Sequence, residues 1–222
     1  MAEVILRSLS GKEVLCIGAE AVIYKIKFLG EDAVLKIRVR KEYRNPIIDK
    51  LIRRKRTQME ALLLNRAKKV GVKTPCIKYL DISEDLMVLE FINGVLLKKA
   101  LASGSVDWRK IAVEMGQSVA KMHEVDVVHG DLTTSNVFYV NSSLVFFDFG
   151  LGEITKDVEH KAVDLELLYR VMYSTHTEIY KEFMNLFLNS YSETYSKASE
   201  VISKFKKLRT MGRYVAREKR RS

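Results

Sequence analysis

Residues 129–136 read His-Gly-Asp-Leu-Thr-Thr-Ser-Asn, and an Asp-Phe-Gly triplet begins twelve positions after the final Asn. The first stretch places Asp131 and Asn136 five positions apart, and the triplet begins at Asp148. Two short apolar runs lie between them and flank Asn-Ser-Ser at 141–143, which predicts a strand, a tight turn and a second strand. A hairpin of this kind presents Asn136 and Asp148 to one ion.

These three polar side chains have the spacing of a phosphoryl-transfer site. In the catalytic loop of protein kinases an Asp takes the proton of the substrate hydroxyl and an Asn five positions later holds magnesium. The Asp of Asp-Phe-Gly holds magnesium that bridges the nucleotide phosphates. We therefore predict Asp131 as the catalytic residue, and Asn136 and Asp148 as metal ligands. The alternative, in which the first triplet is only a turn and the second only ends a buried strand, does not explain their joint order and spacing.

A lysine lies in the middle of the apolar strand predicted at 33–37. Burial of the Lys36 ammonium there is costly unless the charge is paired. The third strand of protein kinases carries such a lysine, which contacts nucleotide phosphates and pairs with a glutamate of the next helix. Glu60, beside the apolar face of a helix predicted from Ile47, is the expected partner. The alternatives are an edge-strand lysine that points to solvent and an ordinary exposed helix glutamate.

Two further segments are candidates for contact with the nucleotide. The turn between two of the first strands comprises Gly18, Ala19, Glu20 and Ala21. It could fold over phosphates, although it holds one glycine where kinases use several, and an ordinary β-turn is the alternative. After the last strand of the first lobe, the backbone groups of Glu90 and Ile92 are available for the adenine edge.

The composition is that of a globular protein, with 47% hydrophobic residues in a chain of 222. No apolar run approaches the roughly 20 residues that span a bilayer, and residues 1–10 lack the basic and then apolar layout of a signal peptide. The resulting expectation is a cytoplasmic protein without membrane contact. Cys16 and Cys76 lie far apart without a metal-ligand pattern, so we expect both to be small buried hydrophobic side chains.

The net charge of +10 is concentrated in two segments. Residues 36–56 hold ten Lys or Arg against two acids, and residues 204–221 hold nine against one. An excess this localised indicates an anionic partner such as nucleic acid or an acidic protein patch. Solvated helix faces are the ordinary explanation of any one charged run, and that alternative stays open for both segments.

These patterns predict an α+β, two-lobed, protein-kinase-like fold. Residues 1–92 are expected to form a small N-terminal lobe of antiparallel strands plus one helix. Residues 93–222 are expected to form a reduced, mainly helical C-terminal lobe, with a basic tail from about residue 204.

Several local details follow from turn residues and apolar periodicity. We expect a strand at Val4–Leu6, a turn at Glu31-Asp32, a helix at Val95–Leu101 and an interruption of the last helix at Gly212. Asp164 stands near the start of a helix expected to begin by about Lys161. We expect Asp164 to cap backbone amides there, with bracing of the catalytic loop as the alternative.

The chain resembles the small atypical kinase and ATPase of the KEOPS complex, the PRPK-like family, which acts in threonylcarbamoyl-adenosine modification of tRNA. The motifs that carry the resemblance lie at 18–21, 43–49, 56–61, 129–136, 148–152 and 161–165. The resemblance implies Mg-dependent ATP hydrolysis or autophosphorylation, with ATP and magnesium as cofactors. It implies the other KEOPS subunits as partners, among them a subunit with a sugar-kinase-like ATPase fold that modifies the tRNA. We expect tRNA itself to contact the basic segments.

Three features depart from ordinary protein kinases. Gly130 stands in place of an arginine that usually contacts a phosphorylated activation loop, and no Ala-Pro-Glu follows the Asp-Phe-Gly triplet. Thr133 stands where many Ser/Thr kinases have a phosphate-neutralising lysine. Switching by an activation loop and efficient phosphorylation of free protein substrates are therefore not expected.

Two other functions are alternatives to the KEOPS-type kinase and ATPase. Small-molecule kinases of the aminoglycoside or choline type also use His-Gly-Asp followed by Asn, but they usually carry a larger C-terminal lobe than the 70 residues that follow Gly152 here. A non-catalytic scaffold could bind tRNA or a partner through the basic segments. Such a scaffold has no need for the intact set of Lys36, Asp131, Asn136 and Asp148.

Overall fold

The computed structural model describes residues 13–218, and for 211–218 it describes the backbone alone. The strand expected at Val4–Leu6 and the last four residues of the basic tail lie outside the described part of the chain.

The described chain folds as two compact units. The first comprises residues 13–65 and 75–93, and the second comprises residues 66–74 and 94–218. An antiparallel sheet and most of one long helix make up the first unit, whereas helices dominate the second. This distribution of strands and helices agrees with the predicted α+β class.

The first unit contains a five-stranded antiparallel sheet in the order β1-β2-β3-β5-β4. Its strands are β1 (Val14–Ile17), β2 (Ala21–Phe28), β3 (Glu31–Arg38), β4 (Ile77–Asp81) and β5 (Leu86–Glu90). Ala33 and Leu35 of β3 are buried in the core of this sheet. Because side chains alternate along a strand, Lys36 and Arg38 share the opposite face of β3.

The turn between β2 and β3 lies at Leu29 and Gly30, so the expected turn at Glu31-Asp32 is wrong. Glu31 and Asp32 already belong to β3, where Glu31 pairs with Phe28. Leu29 and Gly30 have φ values of 52° and 87°. A two-residue hairpin loop of type I′ needs positive φ at both positions, and the glycine meets that need at low cost.

The long helix α1 (Pro46–Lys69) follows the third strand. Asn45 Oδ1 accepts the backbone N–H of Ile47 at 3.0 Å, and Pro46 occupies the first helical turn, where its missing N–H costs nothing. Gly71, at φ 82°, follows the helix end. The helix therefore begins and ends close to its predicted limits.

The second unit holds five short strands and five helices among its described residues. They are β6 (Val95–Leu96), α2 (Leu97–Ala102), α3 (Trp108–Glu124), β7 (Val127–Val128), β8 (Val137–Val140), β9 (Ser143–Phe146), β10 (Glu153–Ile154), α4 (Val158–Thr175), α5 (Tyr180–Thr194) and α6 (Ala198–Glu218). The helix expected at Val95–Leu101 is wrong at its start, because Val95 and Leu96 pair with β8 as a strand before α2 begins. 

Helices α3 and α5 approach closely at Gly116. A Cβ added to this glycine would lie 2.4 Å from the carbonyl oxygen of Phe187, so a larger residue cannot be accommodated without movement. The apolar face of α3, which includes Ile111, Met115 and Val119, is buried. This face is core packing, as the sequence predicted.

The C-terminal helix differs from its prediction. Helix α6 continues through Gly212 to Glu218, so the expected interruption at Gly212 is wrong. A glycine within a helix costs about 1 kcal/mol, which a long helix with a packed face tolerates. Val201 and Phe205 of α6 are buried and supply that packing.

Both cysteines are exposed, which corrects the expectation that they are buried. Cys16 lies on β1, an edge strand whose residues are all exposed, and Cys76 lies just before β4. Edge position, which the residue type does not reveal, decides their exposure. Across residues 13–218, no helix is both long and apolar enough to cross a membrane.

Candidate active site

The side chains of Asp131 and Asn136 are joined directly. Asn136 Nδ2 donates to Asp131 Oδ2 at 2.8 Å and to the Asp131 carbonyl oxygen at 2.9 Å. No described residue donates to the amide oxygen of Asn136. The Asp131 carboxylate is thus oriented, while Asn136 keeps an oxygen that can bind a cation.

The predicted hairpin between the catalytic loop and the Asp-Phe-Gly triplet is confirmed. Strands β8 and β9 pair antiparallel, and Asn141 and Ser142 form the turn with φ values of 47° and 59°. At the open end of this hairpin the Phe147 N–H donates to the Asn136 carbonyl oxygen at 3.1 Å. Asp148 is the next residue, so the hairpin brings Asn136 and Asp148 together in the second unit.

The oxygen donors of this site fit magnesium. Magnesium is bound through one or two carboxylates plus substrate phosphates, and it keeps several waters. Asp148, at φ 61°, and Asn136 offer one carboxylate and one amide oxygen, and the Asp131 carboxylate is bonded to Asn136. In the described part of the chain no group of three His, Cys, Asp or Glu residues is arranged to hold a metal by itself. The roles of Asn136 and Asp148 as metal ligands stay predictions.

His129 connects the catalytic loop to the segment before Asp148. Its Nε2 lies 3.1 Å from the Phe147 carbonyl oxygen, which can only accept, so Nε2 carries the proton. Its Nδ1 then accepts the Asp131 N–H at 3.3 Å. Burial lowers the pKa of His129, in agreement with this neutral form. The ring also packs on Phe149 with centroids 4.4 Å apart.

Asp164 braces the catalytic loop. Its carboxylate is fully buried and accepts the His129 N–H at 2.7 Å and the Gly130 N–H at 2.9 Å. The N-terminus of α4 is capped instead by Asp157, whose side chain accepts the Glu159 N–H. The preference for Asp164 as a cap is therefore wrong, and bracing, the alternative, is what the structure shows.

Gly130 cannot be replaced by a larger residue without movement. Its φ is 80°, and an added Cβ would lie 2.2 Å from the Leu151 carbonyl oxygen. The arginine that ordinary protein kinases carry at this position has no room here. The backbone after the Asp-Phe-Gly triplet occupies that space.

Sequence reasoning missed a buried polar network behind the loop. Lys161 Nζ donates to the His123 carbonyl oxygen at 2.8 Å, to Asp126 Oδ1 at 2.8 Å and to Tyr195 Oη at 3.0 Å. The bond from Lys161 holds the pKa of Asp126 below its usual value. A lysine within the apolar periodicity of α4 was the signal that could have revealed this network.

His123 ties the same network to Asp164. Its Nε2 lies 3.4 Å from Asp164 Oδ2, and its Nδ1 lies 2.8 Å from the Tyr191 hydroxyl. Burial lowers the pKa of His123, so the ring is neutral and donates through Nε2. The carboxylate that supports the catalytic loop is therefore itself held by a buried partner.

In the first unit Lys36 and Glu60 form the predicted ion pair. Lys36 Nζ lies 2.6 Å from Glu60 Oε1, and both side chains are buried. A second cation, which the sequence did not indicate, shares the same acid: Arg38 Nη2 lies 2.6 Å from Glu60 Oε2. Glu60 is thus fixed through both oxygens. Contact between Lys36 and nucleotide phosphates stays a prediction.

The turn at Gly18, Ala19, Glu20 and Ala21 is held from two sides. The Gly18 N–H donates to the Ala21 carbonyl oxygen at 2.9 Å, so that amide is already used. Arg56 pairs with the Glu20 carboxylate, and Lys41 Nζ donates to the Ala19 carbonyl oxygen. No described residue accepts the backbone N–H of Ala19 or Glu20. These two amides are the ones that remain for a phosphate.

At the end of β5, some backbone groups are hydrogen-bonded within the chain and others are open to an adenine base. The Glu90 N–H donates to the Cys76 carbonyl oxygen at 2.8 Å, and Glu90 Oε2 accepts the Cys76 N–H at 3.0 Å. The Ile92 N–H donates to no described residue. An adenine edge could therefore use Ile92 N–H, whereas the amide of Glu90 is occupied.

The antiparallel sheet, the helical second unit and the polar residues of the loop together define a kinase-like fold. The structure of the Rio2 kinase–ADP/Mg²⁺–phosphoaspartate complex from Chaetomium thermophilum matches with a TM-score of 0.62 at 13% identity. That match covers 94% of this chain and 75% of the other chain, and it shows the fold. The RIO domain model matches residues 20–165.

Relatives with higher sequence identity give a more specific family assignment. The chain is 38% identical over 206 residues to the KEOPS complex subunit Bud32 of Pyrococcus abyssi, across 89% of this chain and 94% of that protein. It is 39% identical over 198 residues to a probable bifunctional tRNA threonylcarbamoyladenosine biosynthesis protein of Methanobrevibacter smithii. That match covers 89% of this chain and 36% of the relative, so the chain spans about a third of its length. This chain belongs to the RIO domain family, in the group that includes Bud32.

Proposed function

We propose that this chain is a Mg-dependent ATPase and atypical serine/threonine kinase that supports threonylcarbamoyl-adenosine modification of tRNA within a KEOPS complex. The observation that carries the catalytic part is the hydrogen bond from Asn136 to Asp131, in a loop braced by Asp164. It orients one carboxylate and leaves the side-chain oxygen of Asn136 without a described donor. The names of relatives such as Bud32 support the biological setting.

Each residue of the second unit has a separate role in this proposal. Asp131 accepts the proton of a substrate hydroxyl, or orients a water when the reaction is hydrolysis. Asn136 and Asp148 hold magnesium, which when bound neutralises negative charge on the phosphates. The neutral His129 keeps the backbone of Asp131 and the Asp-Phe-Gly segment in register, because it bonds to both.

The first unit supplies contacts to the nucleotide. Lys36 binds phosphate oxygens while Glu60 fixes its ammonium, and Arg38 holds the second oxygen of Glu60 in place. The turn at 18–21 contributes backbone N–H groups to the phosphates. The adenine edge is bound by backbone groups at Glu90 and Ile92, with the carbonyl of Glu90 as acceptor and the amide of Ile92 as donor.

The names of relatives support the protein partners, and the distribution of charge supports the RNA contact. We propose that the chain assembles with the other KEOPS subunits, among them a subunit with a sugar-kinase-like ATPase fold, and that tRNA contacts the C-terminal basic segment. The segment at 36–56 is less suited to RNA because many of its cations pair internally. The pairs are Lys36 and Arg38 with Glu60, Arg44 and Arg53 with Asp49, Arg53 with Asp85, and Arg56 with Glu20.

Calorimetric titration with Mg-ATP tests the assignment of the nucleotide and metal site. We expect Lys36→Ala and Asp148→Ala to bind about tenfold or more weakly than the unmodified chain, since a hydrogen bond to a charged group contributes about 1.5–3 kcal/mol. Lys55→Ala, which removes an exposed cation of α1, is the matched control and should bind normally. If both site variants remain folded and bind Mg-ATP normally, the nucleotide site is assigned wrongly. A chain that binds no Mg-ATP at all would favour the scaffold.

A further inference from the structure

A groove in the second unit lies among helices α4, α5 and α6, away from the catalytic loop residues. Its volume is about 370 Å³, which is in the range of small-molecule sites. Three aromatic side chains line it: Tyr169 of α4, Tyr180 of α5 and Phe205 of α6. Tyr169 and Tyr180 meet edge to face with centroids 6.2 Å apart. The groove thus has a rigid aromatic wall.

The groove is also cationic and contains no acid. Arg209 and Lys181 line it together with Asn185, and none of its lining residues is Asp or Glu. The Arg209 guanidinium stacks on Tyr169, 3.6 Å from the ring centroid. Within residues 13–210, no carboxylate forms an ion pair with Arg209 or Lys181, so both cations keep their hydrogen-bonding capacity for an anion.

This combination suits a nucleotide better than a peptide. Unpaired bases bind by stacking on aromatic rings and on stacked arginines, while cations of the same groove hold the backbone phosphates. The basic character continues along α6, where Lys206 and Lys207 are exposed. An acidic peptide would use the cations, and its backbone could bond to the Asn185 amide, but its acidic side chains offer no ring to stack on the aromatic wall.

We propose that this groove binds one unpaired nucleotide of an RNA, with its base stacked on Tyr180 beside the Arg209-covered ring of Tyr169, and its phosphate against Arg209 and Lys181. The inference deepens the proposed contact between tRNA and the C-terminal basic segment, and it rests on that contact. It does not depend on ATP hydrolysis.

The experiment measures fluorescence anisotropy of the full chain with a labelled single-stranded RNA of about 12 nucleotides, within the range of about 4–16 nucleotides of known single-strand sites, at several salt concentrations. Tyr180→Leu should weaken binding by about 5- to 100-fold with an unchanged salt slope, since stacking is lost and no charge changes. Tyr180→Phe keeps the ring and should restore the affinity. Arg209→Gln should weaken binding and also flatten the slope by about 0.7, the value for one phosphate contact on a single strand.

Matched controls distinguish RNA binding in the groove from general electrostatic attraction of RNA to a basic surface. Lys207→Gln removes one cation of α6 outside the groove, and its loss of affinity should be smaller than that of Arg209→Gln. Photocrosslinking of the unmodified chain to the same RNA with 4-thiouridine should label peptides that contain Tyr169 or Tyr180. This second measurement needs no variant and therefore no assumption about folding.

Normal binding by folded Tyr180→Leu overturns the proposal, as does crosslinking confined to other surfaces. Losses that depend only on charge, equal for Arg209→Gln and Lys207→Gln, would show a diffuse basic surface and also overturn it. An unchanged RNA affinity together with lost assembly with another KEOPS subunit would assign the groove to a protein partner instead. Mg-ATP titration of the same variants keeps this outcome distinct from failure of the catalytic assignment, because none of them alters the nucleotide contacts.

Discussion

His129 Nε2 lies 3.1 Å from the carbonyl oxygen of Phe147, the residue immediately before Asp148. The same ring accepts the N–H of Asp131 through Nδ1. One neutral imidazole therefore links the backbones on which the two acids of the site stand. A change that displaces this ring is expected to shift both acids together.

Gly130→Ala should destabilise the chain and lower its ATP turnover. The substitution carries two costs, a left-handed backbone at φ 80° and a Cβ at 2.2 Å from the Leu151 carbonyl oxygen. Gly104→Ala is the matched control, because Gly104 has φ 66° but open space around an added Cβ. The backbone cost alone is about 1–2 kcal/mol. Urea unfolding should show a larger loss for Gly130→Ala than for Gly104→Ala, and equal losses would mean that the contact with Leu151 is easily relieved.

Asp164→Ala should impair catalysis more than nucleotide binding. It removes the acceptor for two backbone amides of the catalytic loop, and hydrogen bonds to a charged group contribute about 1.5–3 kcal/mol each. A catalytic loop displaced by even 1 Å can lose about 100-fold in rate. Asp157→Ala removes the true cap of α4, so it should cost about 1 kcal/mol of stability and leave turnover unchanged. Equal turnover in the two variants would remove Asp164 from the support of the loop.

The stability of the fold should decrease on mild acidification. Burial lowers the pKa of His123, His129 and His176, so each stays neutral in the folded chain and takes up a proton on unfolding below about pH 6.5. Their contribution is complete above that pH and is lost as the pH falls, by at most about 1.4 kcal/mol per pH unit for each histidine. His160 opposes this trend, because Glu153 raises its pKa, but it is exposed and its effect is small.

Chemical unfolding between about pH 8 and pH 5 measures this dependence. The His176→Gln variant should show a shallower decrease, since one of the three buried imidazoles is gone. A free energy of unfolding that stays constant or rises from about pH 7 to pH 5 would contradict the neutral assignment of these rings.

Local sequence signals were sufficient for the catalytic hairpin and for the Lys36–Glu60 pair. A strand, an Asn-Ser-Ser turn and a strand have one common geometry, and a lysine in an apolar strand requires a nearby acid. The support of Asp164 for His129 could not be decided from sequence, because it depends on how a helix residue 35 positions downstream packs on the loop. The aromatic groove likewise combines residues of three helices, and only tertiary packing brings Tyr169 and Arg209 together.

Deletion of Met211–Ser222 should weaken tRNA binding and reduce its salt dependence. The deletion removes five Lys or Arg residues, and each lost phosphate contact reduces the slope of log affinity against log salt by roughly one unit. Replacement of Lys50 and Lys55 by Gln, in the other basic segment, should change neither quantity appreciably. Titration of labelled tRNA against the three proteins measures both. An unchanged slope after deletion would mean that this end serves a protein partner or only faces solvent.

The catalytic role of Asp131 is the central claim, and ATP turnover by Asp131→Ala tests it most directly. The measurement compares steady-state phosphate release at saturating Mg-ATP, with and without the partner subunits, and calorimetry on the same samples establishes binding. Because positioned proton transfer contributes about 10²- to 10⁴-fold, turnover should fall by about 100-fold or more while Mg-ATP binding stays within about threefold of the unmodified chain. Turnover equal to that of the unmodified chain, in a folded variant that binds Mg-ATP, would contradict the account.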